Sequence, residues 1–142
     1  MTVVVDVVVS REQIVEEAMS WLGVPYRDLG RTRHGLDCVG LILAVYGSLG
    51  LITYEVPTYR RIPDGSFLSH FTKAGFKRIG IADMRSGDAV AFKQLAWACH
   101  CGIVTPRGVV HSYSPELMVV EQPLSGRLRD NLIGVYRAPG VE

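Results

Sequence analysis

"ACHCGIVTPRGVVHSY", residues 98–113, holds two short runs rich in Val and Ile on either side of "TPRG", the pattern of two strands joined by a tight turn. Each run carries a histidine, His100 on the first and His111 on the second. Whether the imidazoles meet depends on the turn, because directly opposed residues of an antiparallel pair share a face and faces alternate with period two. With Pro106 and Arg107 alone as the loop, His100 lies opposite Tyr113 and diagonal to His111, on one face at a spacing of about 7–8 Å. A three-residue loop ending in a left-handed bulge at Gly108 would separate the rings unless the bulge restored the parity. A joint role for the two histidines therefore requires an even loop or a compensating bulge.

Outward from this hairpin, "DAVAFK", "LMVVEQ" and "LIGVYR" are also short, β-branched and bounded by turn residues, so the C-terminal half reads as a meandering antiparallel sheet. The N-terminal half has a different period. Ser10 and Gln13 form a capping-box pattern ahead of Ile14, Val15, Ala18, Met19 and Leu22, which predicts a helix over 11–22 ended by Gly23 and Pro25. Asp37 is an N-cap candidate for "CVGLILAVYGSLGL", a helix of roughly 38–48 that is apolar on nearly every face and hence buried. Asp64 as cap, Phe67, Leu68 and Phe71 on one side, and Gly75 as stop suggest a shorter helix over 64–74. Helices followed by strands imply an α+β domain, with the helices packed on one face of the sheet.

A chain of 142 residues with 48% hydrophobic and 20% charged side chains is expected to form one globular domain over 1–142. A net charge of +1 offers no global field for nucleic acid or an anionic membrane. The opening "MTVVVDVVVS" lacks a basic segment and a small-residue cleavage site and is interrupted by Asp6, so no signal peptide is expected. Nor does any run reach the 18 or so apolar residues of a membrane span. The expectation is a protein made in the cytoplasm, outside the usual secretory route. The three cysteines are odd in number, and Cys99 and Cys101 are too close along a strand to be bridged easily, so free thiols are expected.

Cys38 opens the second helix, where unpaired N–H groups and the positive end of the dipole favour a thiolate. It is either a nucleophile awaiting a base or a small buried residue. His100 and His111 supply candidates for that base and for a group orienting it. A second reading has Cys38, His100 and His111 hold zinc with water as a fourth ligand, although the short paired spacing of most zinc motifs is missing. Cys99 and Cys101 flank His100 at odd offsets, point away from it and read as packing. Asp88 after Gly87 reads as a turn and strand-start residue. His34 and His70 read as solvated, and Trp97 either walls a cleft or packs. Arg27, Arg31 and Arg33 form a basic loop that could clamp substrate carboxylates or simply be solvated.

"GVPYRDLGRTRHGLDCVGLILAVY", "RSGDAVAF" and "HCGIVTPRGVVHS", in that order, resemble the NlpC family of papain-like cysteine peptidases. The resemblance runs from Ala18 to about Val120 and implies a papain-like NlpC fold. It implies Cys38 as nucleophile, His100 as general base and His111 as the group orienting the base. Tyr26 would face the thiolate and help bind the oxyanion with the backbone N–H of Cys38. Asp37 would bind the free amine of the peptide, and Arg33 joins the substrate-binding candidates. Val39 stands where many relatives have serine, so any contact made by that hydroxyl is absent. The implied activity is that of a cysteine endopeptidase cutting a peptidoglycan stem peptide, the γ-D-glutamyl to diaminopimelate bond being favoured, with no metal or other cofactor. "DCVGL" behind an arginine-rich loop is most similar to the subgroup of phages and phage-like particles, which implies a virion tail as the setting and other tail proteins as partners. An acyltransferase using the same thiolate, or an inactive component on the same fold, stays open.

Overall fold

Ser10 starts the first helix as its pattern predicts: its hydroxyl accepts the Gln13 N–H at 3.1 Å, and the Gln13 side-chain carbonyl takes the Ser10 N–H at 2.8 Å. This computed structural model describes residues 8–56, 68–93 and 99–141. Helix α1 spans Arg11–Met19, buries Ile14 and Ala18, and stops short of the expected residue 22 because the chain turns through Ser20 toward Gly23, at φ +85°. Helix α2 spans Cys38–Ser48 and buries Cys38, Val39, Gly40, Leu41, Ile42, Val45 and Tyr46, as an all-round apolar run requires. Between them, the glycine-punctuated loop contains a short ribbon, β1 (Arg31–Thr32) against β2 (Gly35–Leu36), too brief to leave a period-two signal in the sequence.

Helix α3 spans Ser69–Lys73, buries Phe71 and ends at Gly75, φ +96°. The expected cap Asp64 and Phe67 lie outside the described residues. Strands β3 (Lys77–Ile79), β4 (Ala89–Lys93), β5 (Cys99–Thr105), β6 (Gly108–Tyr113), β7 (Met118–Gln122) and β8 (Leu132–Arg137) form a six-stranded sheet in the order β3-β8-β4-β5-β6-β7, antiparallel throughout. The meander holds from β4 to β7. The last strand then returns to the other side of β4, and β3, a three-residue edge strand with two exposed basic residues, escapes pattern reading.

Helices α1 and α2 pack on the face of the sheet that presents Ala89, Ala91, Cys99, Cys101, Ile103 and Val110. The opposite face is not bare. Val90, Phe92, Val104, Val109 and Val135 form a second apolar layer, covered by Met84, Leu124 and by Leu128 of α4 (Gly126–Asp130). No described helix is long and apolar enough to cross a membrane.

Asp88, fully buried, locks the return of β8. Its carboxylate accepts Nε and a terminal nitrogen of Arg137, both at 2.9 Å, a terminal nitrogen of Arg11 at 3.0 Å and the Arg85 N–H at 2.9 Å. One anion thus joins α1, the turn before β4 and the end of β8, a structural role beyond a simple turn residue. Asp88→Asn keeps the shape and removes the charge. It should lower stability by about 3 kcal/mol, the low end for a broken buried pair because both guanidiniums keep some solvent. Urea unfolding would show this as a lower midpoint at unchanged slope.

Candidate active site

Thr105 pairs with Gly108, Val104 with Val109 and Ile103 with Val110, so the β5–β6 connection is the two residues Pro106 and Arg107. Gly108 begins β6 without forming a bulge. The even parity brings three rings onto one face: His100 and His111 have centroids 4.9 Å apart, His100 and Tyr113 5.7 Å, and Tyr113 stacks on His111 at 4.6 Å. Nε2 of His100 lies 2.7 Å from Nδ1 of His111. Gly102 makes room for this diagonal approach. A Cβ there would sit 2.6 Å from Cγ2 of Val109, 2.9 Å from the Val110 carbonyl oxygen and 3.0 Å from Cβ of His111.

The thiol reaches this pair from α2. Asp37 caps the helix by accepting the Gly40 N–H at 2.8 Å, and its other oxygen accepts the Leu29 N–H at 2.9 Å. Gly40 has no side chain, and the loop uses the gap: a Cβ there would collide with the Gly30 carbonyl oxygen and lie 2.9 Å from Cβ of Leu36. The acidity of Cys38 is raised, its pKa falling well below the ordinary thiol value. The neighbouring Cys101 thiol is the largest cause where its proton turns to the sulfur, burial opposes the shift, and a hydrogen bond to His100 with that ring's charge also lowers it. The Cys101 thiol has one proton, and its sulfur lies 3.3 Å from the Cys38 carbonyl oxygen, to which it donates. With that proton on the carbonyl, His100 is the group left to stabilise the thiolate. Because Nε2 of His100 is bound to His111, Nδ1 is the nitrogen free for sulfur.

His111 is pushed down to about 3, first by burial and then by the charge of His100, with partial compensation from Gln122. It is therefore neutral wherever the protein is folded near neutral pH. Its Nε2 lies 2.7 Å from Oε1 of Gln122. Gln122 was not legible as a site residue, because "LMVVEQ" reads only as a strand. Its place follows from register: Val120 pairs with His111 and Gln122 with Val109, so Gln122 shares the histidine face one step along.

Other expected residues have different positions. Tyr26 lies close enough to Cys38 for the thiolate to raise its pKa, burial being the larger cause, and its hydroxyl donates to Oδ1 of Asp28 at 3.1 Å. Asp37, only 3% exposed, has its oxygens engaged by Gly40, Leu29 and, at 3.3 Å, Arg31. These bonds tie the Asp37 carboxylate to both the loop and the helix start. Arg33 lies over Trp21, 3.6 Å from the ring centroid, and donates to the Ser20 carbonyl oxygen at 2.6 Å, so it ties the ribbon to the end of α1. Arg31 bridges Asp37 and Glu55, whereas Arg27 is exposed. His34 is exposed as expected, but Nδ1 of His70 lies 2.6 Å from the Tyr54 hydroxyl, so that ring is anchored. Cys99 and Cys101 face the helices, Val39 is buried, and Trp97 lies outside the described residues. A shared zinc ion does not fit these directions, since one nitrogen of each imidazole points at the other ring and the remaining nitrogen of His111 at Gln122. Among the described residues no cluster of three or more His, Cys, Asp or Glu could hold a metal.

Comparison with known proteins agrees with the fold. The family model described as NlpC/P60 family matches residues 23–134. A probable endopeptidase of Mycobacterium tuberculosis is 29% identical over 124 residues, covering 84% of this chain and 28% of its own length, and one of Mycobacterium bovis matches equally. The chain therefore spans little more than a quarter of these curated relatives. Among solved structures, an NlpC/P60 family protein from Bacillus cereus superposes with a TM-score of 0.69 at 20% identity, over 92% of this chain and 41% of that one. The NlpC/P60 domain of the peptidoglycan hydrolase SagA gives 0.64 at 19% identity, over 89% and 97%. At these identities the structures speak for the fold.

The lowered pKa of Cys38 has a direct readout. A depressed thiol pKa leaves the thiolate populated until pH falls through the depressed value, so iodoacetamide should modify Cys38 at pH 6, where a thiol of about pKa 8.5 is almost inert. His100→Ala should remove that reactivity, and Cys99 and Cys101 should stay unmodified in the folded protein. Peptide mapping by mass spectrometry distinguishes the three.

Proposed function

The chain belongs to the NlpC/P60 family, and on that premise we propose that it is a cysteine peptidase cutting an amide of the peptidoglycan stem peptide from a single catalytic domain. The observation that carries this reading is the line of contacts from the Cys38 thiol through His100 to His111 at the start of a buried helix. Thiolate attack needs a base in contact with sulfur, a third group holding the imidazole and donors for the oxyanion. In this reading His100 takes the thiol proton at Nδ1, and the Cys38 thiolate adds to the carbonyl carbon. The tetrahedral oxyanion is received by the Cys38 N–H and by the Tyr26 hydroxyl, which turns from Asp28 to do so.

Collapse breaks the C–N bond, and the imidazolium of His100 gives its proton to the departing amine. The acyl group is left on sulfur as a thioester. Water, deprotonated by His100, then attacks the thioester and releases the acid and the thiol. His111 stays neutral and holds the ring of His100 in line. The bond favoured is γ-D-glutamyl to diaminopimelate, on the strength of the "PY", "DCVGL" and "H-x-GI" motifs. The arginine-bearing loop ahead of "DCVGL" supports the phage-type subgroup, with a phage-like tail as the route to the wall and tail proteins as neighbours. Finding the protein in purified particles of its source supports that setting, and its absence from them overturns it.

Incubation with purified muropeptides, followed by mass spectrometry of the products, tests the activity. The wild-type protein should release a new amine and acid from one peptide bond. Cys38→Ala should lose the reaction to background, a loss on the order of 10⁶-fold when a triad nucleophile is removed. Undiminished cleavage by that variant would sink the mechanism.

A further inference from the structure

We propose that Gln122 is a positioning residue that sets the direction of the proton line ending at Cys38, an inference that rests on the peptidase reading above. A neutral imidazole has one donor and one acceptor, so the string Gln122–His111–His100 can be ordered in two ways. In the first, the Gln122 carbonyl accepts from Nε2–H of His111. Nδ1 of His111 is then a lone pair that accepts from Nε2–H of His100, and Nδ1 of His100 is left as a lone pair facing the thiol. The 2.7 Å contacts at both junctions are consistent with this order. In the second, the amide nitrogen of Gln122 donates and every proton in the string is reversed. His100 then presents N–H to sulfur and has no base to offer.

The imidazolium form of His100 makes the distinction sharper. With both nitrogens protonated, it needs an acceptor at Nδ1 of His111, which forces the only proton of neutral His111 onto Nε2. A buried N–H at that position needs an acceptor of its own, and Gln122 Oε1 is the atom present. The neutrality of His111 fits this order. The other groups facing the line are Phe92 from β4, Tyr113 from β6, Cys101 from β5, Asp37 at the cap of α2, Cys38 from α2 itself, and Tyr26 from the loop. From β7, Glu121 is turned to the other face and bonded to Thr105, so it does not share the task.

The test compares wild type, Gln122→Met and Gln122→Glu by two readouts: alkylation of Cys38 against pH, and kcat and KM on muropeptides. Met keeps the length of Gln and lacks a strong acceptor, whereas Glu keeps the acceptor and cannot donate. The Met variant should raise the alkylation midpoint by about one pH unit, the equivalent of one hydrogen bond. It should also lower kcat roughly tenfold to a hundredfold, as when other oriented histidines lose an outer partner, with KM little changed. The Glu variant should keep kcat near wild type and move the midpoint downward, because its charge lies nearer His100 than the sulfur. If the Met variant fails to fold, the downward shift in Gln122→Glu decides alone.

An unmoved midpoint and kcat in Gln122→Met, or equal losses in both variants, overturns the inference. If wild type cuts no muropeptide yet the midpoints move as stated, the role of Gln122 stands and the peptidase reading falls. If wild type cuts and neither quantity moves, the reverse holds.

Discussion

The two-residue turn at Pro106 and Arg107 is the constraint on which the site depends. Its length decides the parity of β5 against β6, and parity decides whether two imidazoles lie on one face or on opposite faces of the sheet. A third residue would have sent one ring into the layer of Val90 and Phe92 and the other toward the helices. The contact that results is diagonal, between positions normally too far apart to bond. Gly102 makes it short by leaving no side chain between His111 and the neighbouring strand. One absent Cβ and one even loop thus bring the two imidazoles into contact.

A hairpin cannot hold the Cys38 thiol in place by itself. The second anchor is the buried carboxylate of Asp37, which caps α2 and also grips the loop at Leu29 and Arg31. The helix start is then pinned to the hairpin by bonds that owe nothing to the reacting groups. The Cys101 thiol donates to the Cys38 carbonyl, and the Ser112 hydroxyl donates to the Leu36 carbonyl at 2.7 Å. Both donors point to the helix side of the sheet while the histidines point to the other. Alternation along the strands therefore divides labour: one set of side chains fastens the scaffold and the next set lines the site.

Electrostatics follow from this placement. Two histidines in contact cannot both be charged in a buried setting, and the deeper one, His111, yields. A neutral partner behind His100 leaves the sulfur as the group with which that ring exchanges a proton. The same burial keeps the Tyr26 phenol protonated beside the thiolate, so it remains a donor.

Much of this was legible in the amino-acid order, because it depends on local chemistry. The capping box at Ser10, the cap at Asp37, the apolar helix after it and the short β-branched strands all follow from side chains acting within a few residues of one another. So did the placement of Cys38 at a helix start, and so did the condition that the "TPRG" turn be even. What only the tertiary structure decided lies between segments distant in the chain. The return of β8 beside β4 follows from Asp88 meeting Arg137, the engagement of Asp37 and Arg33 within the scaffold from a loop folding back on α1 and α2, and the place of Gln122 from the β6–β7 register. A polar residue at the end of a strand carries no local mark of its partner. Its meaning is set by which strand lies beside it and in what register, and those are properties of the sheet as a whole.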